Sequence, residues 1–155
     1  MWDATDRDQA YVSVNTPATR AVWGLIGGRS FDLGGLRFKL GELERNYAAL
    51  VVTSMDGKPL ESSSRMLLAA VGSSENRNMQ WNATRTSVGN QWGSGPAHVN
   101  GITADVQLAF RVDRVQSLDG RGHPQGEVKV TAAGDSSRFC IGPAHQTLWY
   151  QIEAK

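Results

Sequence analysis

The chain reads as an all-β protein, an antiparallel β-sandwich of jelly-roll or immunoglobulin-like kind, on three observations. Apolar residues recur with period two along most of its length, the spacing that returns side chains to one face of a strand. Gly, Pro and Asp interrupt these runs at strand-like intervals. Between the runs there is no amphipathic helical stretch with caps.

Taken in order, Tyr11 to Val14 and Thr19 to Ile26 are the first predicted strands. Leu36, Phe38 and Leu40 then alternate with Arg37 and Lys39, the mark of a half-buried strand. Tyr47 to Ser54 and Arg65 to Gly72 are short and apolar on both faces, which suits central strands covered on each side. Met, Leu and Ala in the second of these favour helix, but Gly72 and the β-rich surroundings favour strand. Val106, Leu108, Phe110 and Val112 point one way while Gln107 and Arg111 point the other. Glu127 to Thr131 and Gln146 to Glu153 complete the set. Asp56-Gly57 and Asp119-Gly120 are hairpin dipeptides, because Gly tolerates the positive φ of tight primed turns.

At 155 residues the chain fits one domain and is too short for a (β/α)8 barrel, which needs about 250. Sixteen basic and fifteen acidic residues give a net charge of +1, so no global field favours nucleic acid or an anionic membrane. No apolar run is long enough to span a bilayer, and Met1 to Asp6 lacks the regions of a signal peptide. Two settings stay open: a protein inside the cell, or a segment of a secreted parent. The single cysteine, Cys140, stands between Phe139 and Ile141 and reads as a small core side chain.

Catalytic constellations are missing. Neither His-x-x-x-His, Cys-x-x-Cys nor Gly-x-Ser-x-Gly occurs, and Gly93-Ser94-Gly95 lacks a phosphate-loop lysine. His98, His123 and His145 read as turn residues beside Gly or Pro. Glu61, Glu75, Asp105 and Asp113 could supply a glycosidase's two carboxylates, but nothing pairs any two of them. The expectation is a non-enzyme with no cofactor. Asp3, Asp6 and Asp8 could hold a structural Ca²⁺, although Arg7 among them favours a solvated terminal segment. Asn82-Ala83-Thr84 matches a glycosylation sequon, a tripeptide common by chance.

Tryptophan is the compositional anomaly, with five Trp against three Tyr and four Phe. Two of the five fall in the segment Asn76 to Asn100, among asparagines, glutamines and arginines. A sugar ring presents an apolar C–H face inside a rim of hydroxyls, so its site needs a flat aromatic beside donors and acceptors of low charge. Trp81 and Trp92 with Asn82, Arg85, Asn90, Gln91 and His98 meet that description. The competing reading makes both tryptophans core residues and the amides turn caps. Strand parity sets Trp149 opposite Leu148, Tyr150 and Ile152, hence outward, as sugar platform, interface anchor or loop cover. Trp23 alternates with Ala21 and Leu25 and reads as buried, while Trp2 reads as a clamp on the first strand.

Several motifs together carry a resemblance. They are Trp2-Asp3, Val14-Asn15-Thr16-Pro17, Gly27-Gly28, Thr53 to Pro59, Leu67 to Gly72, Glu75-Asn76 with Met79 and Trp81-Asn82, and Arg85 to Gly89 leading to Trp92-Gly93 and Gly95-Pro96. In these the chain resembles the carboxy-terminal β-sandwich domains that follow catalytic barrels in some bacterial clan A glycoside hydrolases. The likeness is looser over Ile141-Gly142-Pro143 and Thr147 to Tyr150. It implies an accessory domain of a secreted, extracellular or periplasmic enzyme that degrades plant polysaccharide. Its expected partners are the parent's catalytic domain and a polysaccharide of β-glucan or xyloglucan type. The leading expectation is a carbohydrate-binding module; the alternative is a structural domain that packs against the barrel without binding sugar.

Overall fold

The alternation that marks the strands also decides how they stack. The computed structural model describes residues 1–6 and 9–154. Its strands are β1 (Trp2–Asp3), β2 (Tyr11–Asn15), β3 (Thr19–Leu25), β4 (Ser30–Asp32), β5 (Leu36–Leu40), β6 (Tyr47–Ser54), β7 (Arg65–Gly72), β8 (Ser74–Arg77), β9 (Ser94–Val99), β10 (Ala104–Leu108), β11 (Arg114–Leu118), β12 (Pro124–Val128), β13 (Val130–Ala133), β14 (Ser136–Ile141) and β15 (Trp149–Glu153). An eight-stranded sheet runs β1-β2-β3-β6-β7-β15-β11-β12, and a five-stranded sheet runs β13-β14-β10-β5-β4. All pairs are antiparallel, and the two sheets pack face to face as a β-sandwich.

The core lies between them. Val22, Leu50, Val52, Met66, Leu68, Tyr150 and Ile152 face inward from the large sheet and meet Leu36, Phe38, Val106, Leu108, Phe139 and Ile141 of the small one. Burying each such side chain contributes about 1.5–3 kcal/mol.

Three expectations change here. The run Val106 to Val112 is not one strand: β10 ends at Leu108, and the chain then crosses to the large sheet. Val112 is still buried in that crossing, its N–H donating to Ser137 Oγ at 2.9 Å. Glu127 to Thr131 is likewise two strands, because the chain changes sheets at Lys129 and leaves Val128 in one and Val130 in the other. Asp56-Gly57 does not make a two-residue hairpin either. It opens a longer connection that includes a 3₁₀ turn at Leu60–Ser62, where Asp56 Oδ2 accepts from the Ser64 N–H at 2.9 Å and Oδ1 from the Ser54 hydroxyl at 2.8 Å.

β6 and β7 are central, as their composition predicts, but they are covered on one side only. Ala48, Leu50 and Val52 point into the core; Ala49 and Val51 point out, beside Leu67, Ala69 and Val71 of β7. Register extends this outer surface to Ala21 and Trp23 on β3, Val12 and Val14 on β2, Trp2 on β1 and Trp149 on β15. Trp23 is therefore half-buried on the outer face rather than in the core. Trp2 pairs through its backbone but leaves its ring 76% exposed, so it is no clamp.

Candidate functional site

Glycine makes the site's base possible. At the end of β7 a Cβ on Gly72 would stand 2.3 Å from Asn100 O, so only Gly lets the residue that follows β9 approach this closely. Gly72 N–H donates to Asn100 O at 3.1 Å, Asn100 N–H donates to Ser73 O at 2.8 Å, and Asn100 Nδ2 reaches Ser73 Oγ at 3.0 Å. From this root β8 and β9 project as a two-stranded sheet of their own, and residues 78–93 form the loop between them.

The loop's first half is fastened around one carboxylate. Glu75 Oε1 accepts the Trp81 indole N–H at 2.6 Å and Arg85 Nη2 at 3.1 Å, and it is ion-paired with Arg45 Nη1 from the connection before β6. The Arg85 and Arg45 guanidinium carbons lie 5.5 and 5.9 Å from the Trp81 ring centroid, within cation–π range. Asn82 holds the next turn. Its Oδ1 accepts from the Thr86 N–H at 2.8 Å and its Nδ2 donates to Thr86 Oγ1 at 3.1 Å. Arg85 takes a left-handed backbone with φ of 54°. Trp81, Asn82 and Arg85 are thus engaged in building the loop.

The second half is held by its backbone and leaves its side chains outward. Asn76 Nδ2 donates to Trp92 O at 3.0 Å, Gln80 N–H donates to Gln91 O at 3.0 Å, and Gln91 N–H donates to Val88 O at 2.8 Å. Gly93 has φ of 68°, and a Cβ there would lie 2.2 Å from Arg77 O, so the turn after Trp92 also depends on Gly. Trp92 is 62% exposed, and Asn90 and Gln91 are exposed beside it in sequence. Their side chains make no hydrogen bond to another described residue. His98 is exposed on β9, opposite Glu75 in register, and so belongs to a strand and not a turn. Trp149 belongs to a different surface: it faces outward from the large sheet, as parity predicts, and is 40% exposed.

Besides Glu75, two of the carboxylates offered to catalysis are engaged in ion pairs far from the loop. Glu61 pairs with the buried Arg20 beneath the β6–β7 connection. Asp105 accepts from Cys140 Sγ at 2.8 Å and from Arg138 at 2.8 Å, and these two contacts hold its carboxyl below the usual range. Cys140 is exposed, correcting its assignment to the core: Phe139 and Ile141 point inward on β14, so the residue between them points out. Among the described residues no group of three His, Cys, Asp or Glu converges. Asp3 accepts from the Thr5 N–H and hydroxyl, Asp6 accepts from Gln9 Nε2, and Asp8 lies outside the described residues.

Sequence reasoning missed Arg45 and the joining role of Glu75. Glu75 stands one residue before the segment Asn76 to Asn100, but its partner Arg45 is thirty residues upstream on another loop. Only the one-residue offset from the amide-rich run signals it. No protein-family model, curated protein or solved structure matches the chain.

Proposed function

We propose that the chain is a non-catalytic carbohydrate-binding domain that contacts a β-glucan or xyloglucan-type polysaccharide through Trp92, Asn90, Gln91 and His98. The observation that carries the reading is the contrast inside one loop: Trp81 is tied down by Glu75 and two arginines, whereas Trp92 stands 62% exposed on a backbone fixed at several points. An exposed indole on a preformed turn loses little conformational entropy on binding, and neighbouring amides both donate and accept. Low local charge suits a neutral polymer. The domain's work would be to tether a secreted parent glycoside hydrolase to its substrate and raise its effective concentration there. A second reading, a structural domain packed against the parent's catalytic barrel, is favoured by the half-buried aliphatic outer face of the large sheet.

Affinity electrophoresis in gels containing soluble β-glucan, xyloglucan, xylan or mannan tests the first reading. Retardation is expected in β-glucan or xyloglucan and should vanish in Trp92→Ala. An absence of retardation in all four polymers would overturn it.

A further inference from the structure

We infer that the corner where the chain passes from the large sheet to the small one, at Lys129, is a binding site for a sugar acid, a hexose-sized ring carrying one carboxylate. This goes beyond the reading above, since no residue of the β8–β9 hairpin or its loop lines the site. A cleft of about 500 Å³ opens there, inside the range of about 300–1,000 Å³ usual for small-ligand sites. It is lined by Lys129, at the crossing between β12 and β13, and by His145, from the 3₁₀ turn Pro143–His145 that follows β14. Gln125 of β12 ties these two parts together, its Nε2 donating to His145 O at 3.1 Å. Between them lies the outward face of β13 and β14. Phe139 points inward, so Arg138 and Cys140 on either side of it point outward, and Thr131 stands opposite Arg138 in register.

The chemistry of the lining selects the ligand. Among the described residues no carboxylate lines the cleft, whereas Lys129 and Arg138, which only donate, both do. Arg138 Nη2 donates to Asp105 at 2.8 Å, so that guanidinium is already balanced in charge while its Nε and Nη1 stay free to donate. Lys129 is exposed and ion-paired with no described residue, although Asp113 and Glu127 line the neighbouring groove. One uncompensated positive charge among free donors matches the single charge of a carboxylate better than a phosphate dianion. A bare inorganic anion would use these donors and leave the rest of the cleft unfilled. Thr131 and His145 can pair with hydroxyls, and the apolar edges of Val128 and Phe139 suit the C–H face of a ring. His145 is held in place for that role. Its ring meets Tyr150 edge-on with centroids 5.6 Å apart, and its Nδ1 lies 3.4 Å from the Tyr150 hydroxyl, which leaves Nε2 without a hydrogen bond to a described residue.

Cys140 gives the site its own reporter, because it is the chain's single cysteine and it lines the cleft. Its hydrogen bond to the Asp105 carboxylate pushes the thiol pKa up, so alkylation by neutral iodoacetamide is followed in mildly alkaline buffer by intact mass. Glucuronate at millimolar concentration should slow alkylation about tenfold, whereas glucose should not slow it and inorganic phosphate should do so far less. Lys129→Gln should weaken the protection by glucuronate about tenfold, and Trp92→Ala should leave it unchanged. If the thiol alkylates too slowly to follow, shifts of the Thr131 and Arg138 amides in an NMR titration with the same ligands take its place. No effect of glucuronate by either readout overturns the inference. Equal protection by glucose or by phosphate overturns it too, since the cleft would then be a general sugar contact or an adventitious anion contact. Loss of protection in Trp92→Ala would move glucuronate to the loop and leave the cleft without a ligand.

Discussion

The outer face of the large sheet and the loop between β8 and β9 both lie outside the core, and they differ in almost every property that governs recognition. The face is aliphatic, lies on the central strands of the fold and takes its shape from backbone pairing. The loop is polar and aromatic, projects on its own two strands and takes its shape from side-chain hydrogen bonds around Glu75 and Asn82. The first suits a dry protein contact and the second a hydroxyl-rich ligand. Under the function proposed above, a sugar on the Trp92 loop would leave the outer face of the sheet untouched.

The strongest way to break this contrast uses neighbours on one strand. Leu68 points into the core with no exposure, whereas Leu67 points out. Leu68→Ala should cost about 2–5 kcal/mol in urea denaturation, and Leu67→Ala only about 1 kcal/mol. Equal losses would mean that the outer face is packed as tightly as the core.

Next in size is the fastening of the loop. Glu75→Ala removes the shared acceptor of the Trp81 indole and leaves Arg45 and Arg85 facing each other without a counter-charge. A loss of about 1–3 kcal/mol is expected, together with faster exchange of the Trp81 indole proton by NMR, and Glu75→Gln should recover part of both. Unchanged indole protection in Glu75→Ala would show that the loop is held by something other than this carboxylate.

Strand existence was legible because it is a local property. Period-two alternation placed β5 at Leu36–Leu40 and the two central strands at Tyr47–Ser54 and Arg65–Gly72. What period two cannot supply is which layer lies above a face. Val51 and Leu67 are as apolar as core residues, and only the assembled sheets show that they lie half-buried on the outer face, away from the core between the sheets. The same limit misplaced Trp23, whose face-mates Ala21 and Leu25 were correctly identified while the side they look toward was not. Cys140 was different, since the parity that turned Trp149 outward applies equally to a residue between Phe139 and Ile141. In the site, the Trp/Asn/Gln composition located the loop, but the division between Trp81 and Trp92 turns on Glu75 and Arg45, a contact that no local pattern encodes.

A smaller effect on stability sharpens that division. Trp92→Ala should shift unfolding by less than about 0.5 kcal/mol, the usual range for an exposed site, while Trp81→Ala should cost more because it strips Glu75 of its indole partner. Differential scanning calorimetry of the two variants, beside their mobility in polysaccharide gels, separates a residue that builds the loop from one the loop displays. A Trp92→Ala variant that melts earlier than Trp81→Ala would reverse the assignments.

The last test concerns charge at the end of the aliphatic strands. Asp56 closes the connection between β6 and β7, and its carboxyl is held far below the ordinary value of 3.8, first by the Ser64 N–H and also by the Ser63 and Ser54 hydroxyls and the Lys58 N–H. A depressed pKa means that the folded state favours the ionised form. The stabilisation is therefore complete above the unfolded value near 3.8 and is lost progressively as pH falls from there toward the lower folded value. Asp56 is solvent-exposed, so the effect is screened and modest. Urea midpoints measured from pH 5 down to pH 2 should decline in the native chain and decline less steeply in Asp56→Asn, which keeps the side chain's size but cannot ionise. Parallel acid profiles for the native chain and Asp56→Asn would remove this carboxylate from the forces that hold β6 and β7 in register, and leave their pairing to backbone and apolar contacts alone.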